Sequence, residues 1–232
     1  RFGVSVSSAG DVNGDGYADV VVGASGNNAG GTDAGRAYVY FGGPSADNVA
    51  DWILTGVAVS DNFGYSATEA GDTNGDGYGD LIVGAYANDA GGIDAGRAYV
   101  FFGGPAPDSA PDLILTGEAP GDRFGVEVAP AGDVNGDGRP DVIVGADFNS
   151  VAGTRAGRAY VFYGGPGADN IPDRTFTGDI ALGSFGGTVC SAGDVDGDGY
   201  SDLLVGAWLH SGGGELAGRA YLFHGGPAAD TV

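Results

Sequence analysis

Four acidic loops of nine residues carry the side chains best suited to chemistry in this chain. They read Asp11-Val-Asn13-Gly-Asp15-Gly-Tyr17-Ala-Asp19, Asp72-Thr-Asn74-Gly-Asp76-Gly-Tyr78-Gly-Asp80, Asp133-Val-Asn135-Gly-Asp137-Gly-Arg139-Pro-Asp141 and Asp194-Val-Asp196-Gly-Asp198-Gly-Tyr200-Ser-Asp202. Side-chain oxygens fall at positions 1, 3, 5 and 9 of each loop. Calcium takes six to eight oxygens at about 2.3–2.6 Å in a flexible shell. Odd spacing in a curled loop turns alternate side chains inward, and the carbonyl at position 7 (Tyr17, Tyr78, Arg139 or Tyr200) offers one more oxygen. Glycine at position 6 permits the sharp bend. Magnesium fits less well, because it holds to octahedral geometry and keeps its waters. No cysteine or histidine lies in any loop, so transition metals lack their usual donors there. The bland reading is four Asx-rich turns without metal. Four loops in register with the same donor types weigh against it, and the expectation is about four Ca²⁺, one per loop. The fourth loop, with four carboxylates, is expected to bind tightest, since affinity rises with ligand charge.

A helix–loop–helix calcium site needs a bidentate glutamate at position 12. Here that position is Val22, Val83, Val144 and Val205, each inside an apolar run. The loops therefore join strands. The loops also account for much of the charge. The chain has 31 acids against 9 bases, all arginine, for a net charge of −22. Thirteen of the acids lie in the loops, and eight positive charges from four Ca²⁺ would take −22 to −14. A chain this acidic is a poor partner for nucleic acid or for an anionic membrane. No apolar run approaches the ~20 residues of a membrane helix. Cys190, the single cysteine, allows no intrachain disulfide. The start at Arg1, with neither methionine nor signal peptide, points to a processed or excised segment.

The elements that hold the loops follow from a period of 61. Phe-Gly recurs at Phe2, Phe63, Phe124 and Phe185, which sets repeats 2–62, 63–123, 124–184 and 185–232 in one domain spanning 1–232. Within a repeat every apolar run is short, β-branched or aromatic, and bounded by turn residues. Asp19-Val-Val-Val-Gly23 suits a strand buried on both faces, and Arg36-Ala-Tyr-Val-Tyr40 and Trp52-Ile-Leu-Thr55 follow it. Four short strands per ~60 residues predict an all-β protein built as a β-propeller of four-stranded antiparallel blades. The last repeat stops before its outer strand. A longer parent propeller, a four-blade ring, or an eight-blade ring of two chains would complete it, the last by self-association at the open blade. The chain holds 49 glycines and 10 prolines, a borderline-disordered composition, but 42% hydrophobic and 10% aromatic residues supply a core. The glycines recur in register, which marks turns rather than a flexible linker.

Phe-Gly opening a unit, Asp-x-Asn-Gly-Asp-Gly-x-x-Asp, then a hydrophobic run and Gly-Ala, resembles the FG-GAP repeat of integrin α-subunit β-propellers. The third motif is only Gly-Ala, since the proline of the family's triplet is absent after Ala24, Ala85, Ala146 and Ala207. The uniform spacing looks like a bacterial or archaeal member. The resemblance implies calcium loops between the first and second strands on one face, and ligand contact on the opposite face. It also implies an extracellular, secreted or cell-surface setting.

Other recurring residues have structural readings. Arg36, Arg97, Arg158 and Arg219 are expected to pair with carboxylates. Tyr38, Tyr99, Tyr160 and Tyr221 are expected in the core, and Asp47, Asp108, Asp169 and Asp230 in turns. His210 and His224 occur only in the last repeat and read as incidental. Trp52 and Trp208 are candidate exposed anchors. The variable stretches 25–33, 86–94, 147–155 and 208–216 join the second and third strands, opposite the acidic loops, where binding function tends to sit. The expectation is a calcium-binding extracellular interaction or adhesion module with a protein or glycan ligand. A glycan-binding lectin and, further off, a propeller-based hydrolase are the alternatives. No catalytic residue is assigned.

Overall fold

The computed structural model describes residues 1–227, so the turn expected at Asp230 lies outside the described residues. Among these residues fifteen strands form four antiparallel sheets, one per repeat. The first sheet orders β1 (Val6–Gly10), β2 (Asp19–Ala24), β3 (Arg36–Tyr40) and β4 (Trp52–Thr55). The second repeats this with β5 (Ala67–Gly71), β6 (Asp80–Ala85), β7 (Arg97–Phe101) and β8 (Leu113–Thr116). The third has β9 (Glu127–Gly132), β10 (Asp141–Ala146), β11 (Arg158–Phe162) and β12 (Arg174–Thr177). Among the described residues the fourth has three strands: β13 (Phe185–Gly193), β14 (Asp202–Ala207) and β15 (Arg219–Phe223). The first strands β1, β5, β9 and β13 pack against one another in succession, as blades around an axis do.

Burial follows position in the stack. β6 and β10 are buried at all six residues, whereas β2 and β14 each have an exposed position. The four sequences are nearly the same. The inner two sheets have a neighbour on both faces, and the outer two have a neighbour on one.

The Phe-Gly motif is the joint between sheets. The amide of Phe63 donates to the carbonyl of Ala34 in the preceding repeat (3.0 Å), and that of Gly64 donates to Gly84 in its own (2.9 Å). Phe124 and Gly125 do the same with Ala95 and Gly145. Gly64 sits at φ +80°, and a Cβ there would lie 2.3 Å from the carbonyl oxygen of Arg36, so only glycine fits. The Phe63 ring packs edge-on against Tyr99 and Phe101. Phe2, on the outer face of the first described sheet, is 64% exposed.

Two expectations need correction. Trp52 is no surface anchor. It is buried between the first two sheets, its indole N–H donates to the carbonyl of Asp108 (2.9 Å), and its ring meets Phe101 edge-on. Trp208 is exposed. The arginines pair first with threonine in the neighbouring strand: Arg36 with Thr55, Arg97 with Thr116 and Arg158 with Thr177. Only Arg158 and Arg219 find carboxylates, Glu118 (2.7 Å) and Asp179 (3.3 Å), because the matching position beside Arg97 is Val57. Tyr99 and Tyr160 are buried, as expected of core packing.

The same motif residue should therefore differ in worth by location. Phe124→Ala should destabilise by about 3–5 kcal/mol, in the range for a buried phenyl between packed sheets. Phe2→Ala should cost about 0.5 kcal/mol or less. Urea denaturation at fixed calcium measures both, and equal losses would contradict the stacking described.

Candidate metal centre

Each acidic loop leaves its sheet at the same irregularity. The first strand shifts register just before the loop, between Ser8 and Gly10 in the first repeat and between Glu69 and Gly71 in the second. Gly10 takes φ +76° there, and Gly71, Gly132 and Gly193 take similar values. A bulge of this kind ends ladder pairing and re-aims the chain.

The position-9 aspartate anchors the other end of the loop. Asp19, Asp80, Asp141 and Asp202 are at most 1% exposed. In Asp19, Oδ2 accepts the amide of Val12 (2.9 Å) and Oδ1 accepts that of Gly42 (2.8 Å). Asp80 accepts Thr73 and Gly103, Asp141 accepts Val134 and Gly164, and Asp202 accepts Val195 and Gly225. One carboxylate thus ties together the loop, the second strand and the turn after the third. The sequence offered no sign of the glycine partners, which lie 23 residues away. In Asp19, Asp141 and Asp202 each oxygen uses one lone pair on an amide and keeps another, whereas Oδ2 of Asp80 also accepts the hydroxyl of Thr73 (2.6 Å).

Positions 1, 3 and 5 form the mouth. Asp11 accepts the amides of Asp15 (3.0 Å) and Gly16 (2.8 Å), Asn13 accepts that of Asp15 (3.0 Å), and Asp15 accepts that of Tyr17 (3.0 Å). Asp72, Asn74 and Asp76, then Asp133, Asn135 and Asp137, then Asp194, Asp196 and Asp198 repeat the pattern. These bonds curl the loop and bring its side-chain oxygens together. In the fourth loop Asp194, Asp196 and Asp198 each place an oxygen within 4.8 Å of the others. Like charges this close disfavour one another without a cation. An exposed, oxygen-only donor set on a preformed curl fits a hard divalent ion.

Successive loops interlock. The Gly79 amide donates to the carbonyl of Asp11, and Ser201 donates to Asp133, both at 2.8 Å. Between the second and third loops Pro140 has no N–H to give, and its ring packs against Gly71 instead. Gly104, Gly165 and Gly226 donate to Val12, Thr73 and Val134 of the preceding repeat. The position-7 side chains reach back as well: a Cβ on Gly14 would lie 2.4 Å from the Tyr78 ring, and Arg139 and Tyr200 cover Gly75 and Gly136 in the same way.

Burial pushes the carboxyl of Asp141 up to about 6 against the pull of its amide partners, and it raises Asp19 and Asp80 for the same reason. Asp202 goes the other way. Burial there is outweighed by the amides of Gly225 and Val195 and by the His224 imidazole. The Asp202 loop has no following sheet over it among the described residues.

At the opposite edge a second polar set recurs. The side-chain Nδ2 of Asn88 donates to Asp61 (2.8 Å) and to the hydroxyl of Tyr99 (3.4 Å), and Nδ2 of Asn149 does the same with Asp122 and Tyr160. His210 takes this place in the fourth repeat, facing Asp179 (3.1 Å), which also accepts from Tyr221. The loops around this set expose Val57, Val59, Ile93, Val151, Trp208 and Leu216. Arg123 and Arg155 sandwich the Phe148 ring at 3.8 and 4.0 Å. Along the axis, the first strands line a cavity of about 570 Å³ that includes Glu127, whose carboxyl burial alone pushes up to about 7.

Comparison with known proteins agrees with this architecture. The family model described as FG-GAP repeat matches residues 2–40, 63–101, 124–162 and 185–223. Integrin alpha-5 of Xenopus laevis is 36% identical over 165 residues, covering 67% of this chain and 15% of that protein. Integrin alpha-PS2 of Drosophila melanogaster is 34% identical over 215 residues, covering 86% and 15%. The human phosphatidylinositol-glycan-specific phospholipase D is 37% identical over 178 residues, covering 71% and 21%. The chain therefore spans about a fifth or less of the length of these relatives.

Two outcomes follow from these geometries. Asp80→Ala leaves the buried amides of Thr73 and Gly103 without acceptors, so it should cost about 2–4 kcal/mol even in chelator. An unchanged denaturation midpoint would show that the anchor is dispensable. Glu127 has its folded pKa raised, so its stabilising share is full below about 4.5 and lost as pH rises through about 7. Glu127→Gln should stabilise on the order of 2 kcal/mol at pH 8 and make little difference at pH 4.5, as urea titrations at the two pH values would show.

Proposed function

The chain belongs to the FG-GAP repeat family, and from that premise we propose that it is a calcium-stabilised extracellular interaction module of the adhesion type. One observation carries the reading. Four curled loops present the same oxygen set at the same edge of four stacked sheets, each anchored by a buried aspartate. The proposed ligands are the oxygens of positions 1, 3, 5 and 9, with the position-7 carbonyl. They are Asp11, Asn13, Asp15, Tyr17 and Asp19; Asp72, Asn74, Asp76, Tyr78 and Asp80; Asp133, Asn135, Asp137, Arg139 and Asp141; and Asp194, Asp196, Asp198, Tyr200 and Asp202. Calcium would relieve repulsion within each loop. Because the loops are bonded to one another, each ion would also stiffen the joint to the next repeat.

The opposite edge is the proposed partner surface. The β1–β2 and β2–β3 connections of an antiparallel sheet leave from opposite ends, so calcium and partner occupy separate faces. The exposed apolar side chains there, from Val57 to Leu216, support contact with a protein. Integrin relatives support an extracellular or cell-surface setting.

One relative bears a phospholipase name, which keeps a hydrolase as the second reading. The local chemistry favours the first. Nδ1 of His210 accepts the amide of Gly212 (3.0 Å) and Nε2 faces Asp179, so neither nitrogen is free to act as a base.

Calorimetric unfolding in calcium and in excess chelator tests the central claim. A loop saturated a hundredfold above its Kd adds about 2.7 kcal/mol, so the melting temperature should fall sharply in chelator. An unchanged value would sink the proposal. Asp76→Ala should remove one loop's share in calcium and change little in chelator, the opposite signature to Asp80→Ala. Turnover of an ester or phosphodiester panel, abolished by a single substitution, would favour the hydrolase.

A further inference from the structure

We infer that the fourth acidic loop is a mixed carboxylate–imidazole site for a transition cation of the zinc class, with His224 as its nitrogen donor. Two substitutions peculiar to the last repeat meet there. The first is Asp196, at the loop position that is Asn13, Asn74 and Asn135 elsewhere. Those asparagines each donate Nδ2 to the Oδ2 of the position-5 aspartate. Asp196 has no such hydrogen, which leaves its second oxygen free to turn outward. The second is His224, in the place of Phe41, Phe102 and Tyr163. That register position borders the loop in every repeat. In the first, Phe41 lines the same pocket as Asn13 and Asp15.

In the last repeat the imidazole therefore reaches the loop. His224 Nδ1 lies 3.2 Å from Asp196 Oδ2 and 3.4 Å from Asp202 Oδ1. The Nδ1 atom itself is shielded from solvent, although the ring is 42% exposed, and the two carboxylates are the groups it faces. One ligand atom from each of the three side chains lies within 4.8 Å of the other two. Two donors about 2.1 Å from a zinc-sized ion at the tetrahedral angle are about 3.4 Å apart, which the measured spans match. Calcium gains little from a nitrogen donor, while imidazole suits zinc, cobalt, nickel and copper, whose affinity for such sites follows the Irving–Williams order. Asp202 is already oriented by two backbone amides, which holds the donor in place before any ion arrives. The site shares Asp196 and Asp202 with the calcium reading but stands without calcium in the other three loops.

The test is titration of the whole chain with Co²⁺ in millimolar calcium, followed by ligand-field absorption and by NMR of the two histidine rings. Wild type should take up one Co²⁺ per chain and perturb the His224 ring. His224→Phe, which restores the aromatic of the first two repeats, should weaken Co²⁺ binding at least about tenfold, with calcium binding by the other loops intact. His210→Asn, which restores the residue of the other repeats and assigns the remaining ring, should change nothing. Undiminished Co²⁺ affinity in His224→Phe, a perturbed His210 ring, or no stoichiometric uptake by wild type would overturn the inference. Should His224→Phe fail to fold, the ring assignment in wild type decides alone. Calcium binding without cobalt uptake would remove this inference and leave the calcium reading. Cobalt uptake without calcium binding would do the reverse.

Discussion

The structure hangs on a buried carboxylate that takes two backbone amides from different parts of its repeat. Asp19 and its three counterparts receive one amide from the acidic loop and one from the turn after the third strand. An uncompensated carboxylate at 0–1% exposure would be costly. The amides supply the compensation, and in doing so they dictate where the loop and the turn must lie. The bulge glycine that opens the loop and the aspartate that closes it define a short curl, and the odd-numbered oxygens of that curl have few other directions to face.

The same economy joins repeats. Phe-Gly is a backbone graft between neighbouring sheets at one end, and loop-to-loop hydrogen bonds serve at the other. A sheet of four short strands cannot bury both faces alone. Its apolar faces close only against neighbours, so stability is shared along the stack rather than owned by one repeat. The net charge of −22 is tolerable in this frame because much of it sits at one edge, in loops suited to a cation. Arg139 lies among the loops, while other arginines work against strand-end threonines or on the opposite edge.

Much of this was legible in the residues. The Phe-Gly spacing set the repeat boundaries, and short β-branched runs between turn residues predicted strands. Both follow from local physics: glycine at positive φ, pleat periodicity, and the acid spacing of the loops. The reading went astray where a residue's fate depended on a neighbouring sheet. Trp52 looked like an outer-strand anchor but lies under the turn that carries Asp108. His224 looked incidental because its partners lie 22 and 28 residues away in the chain.

By itself, then, the sequence determined the repeat, the strand order within it, and which residues could hold a cation. These are set by spacing within about sixty residues, where side-chain type and backbone preference act directly. Tertiary structure decided which copies of a motif are buried, which arginines meet acids, and which histidine faces a carboxylate pair. Those outcomes depend on the stacking of one sheet upon the next. Stacking makes Phe124 core and leaves Phe2 exposed, although the two residues begin the same motif.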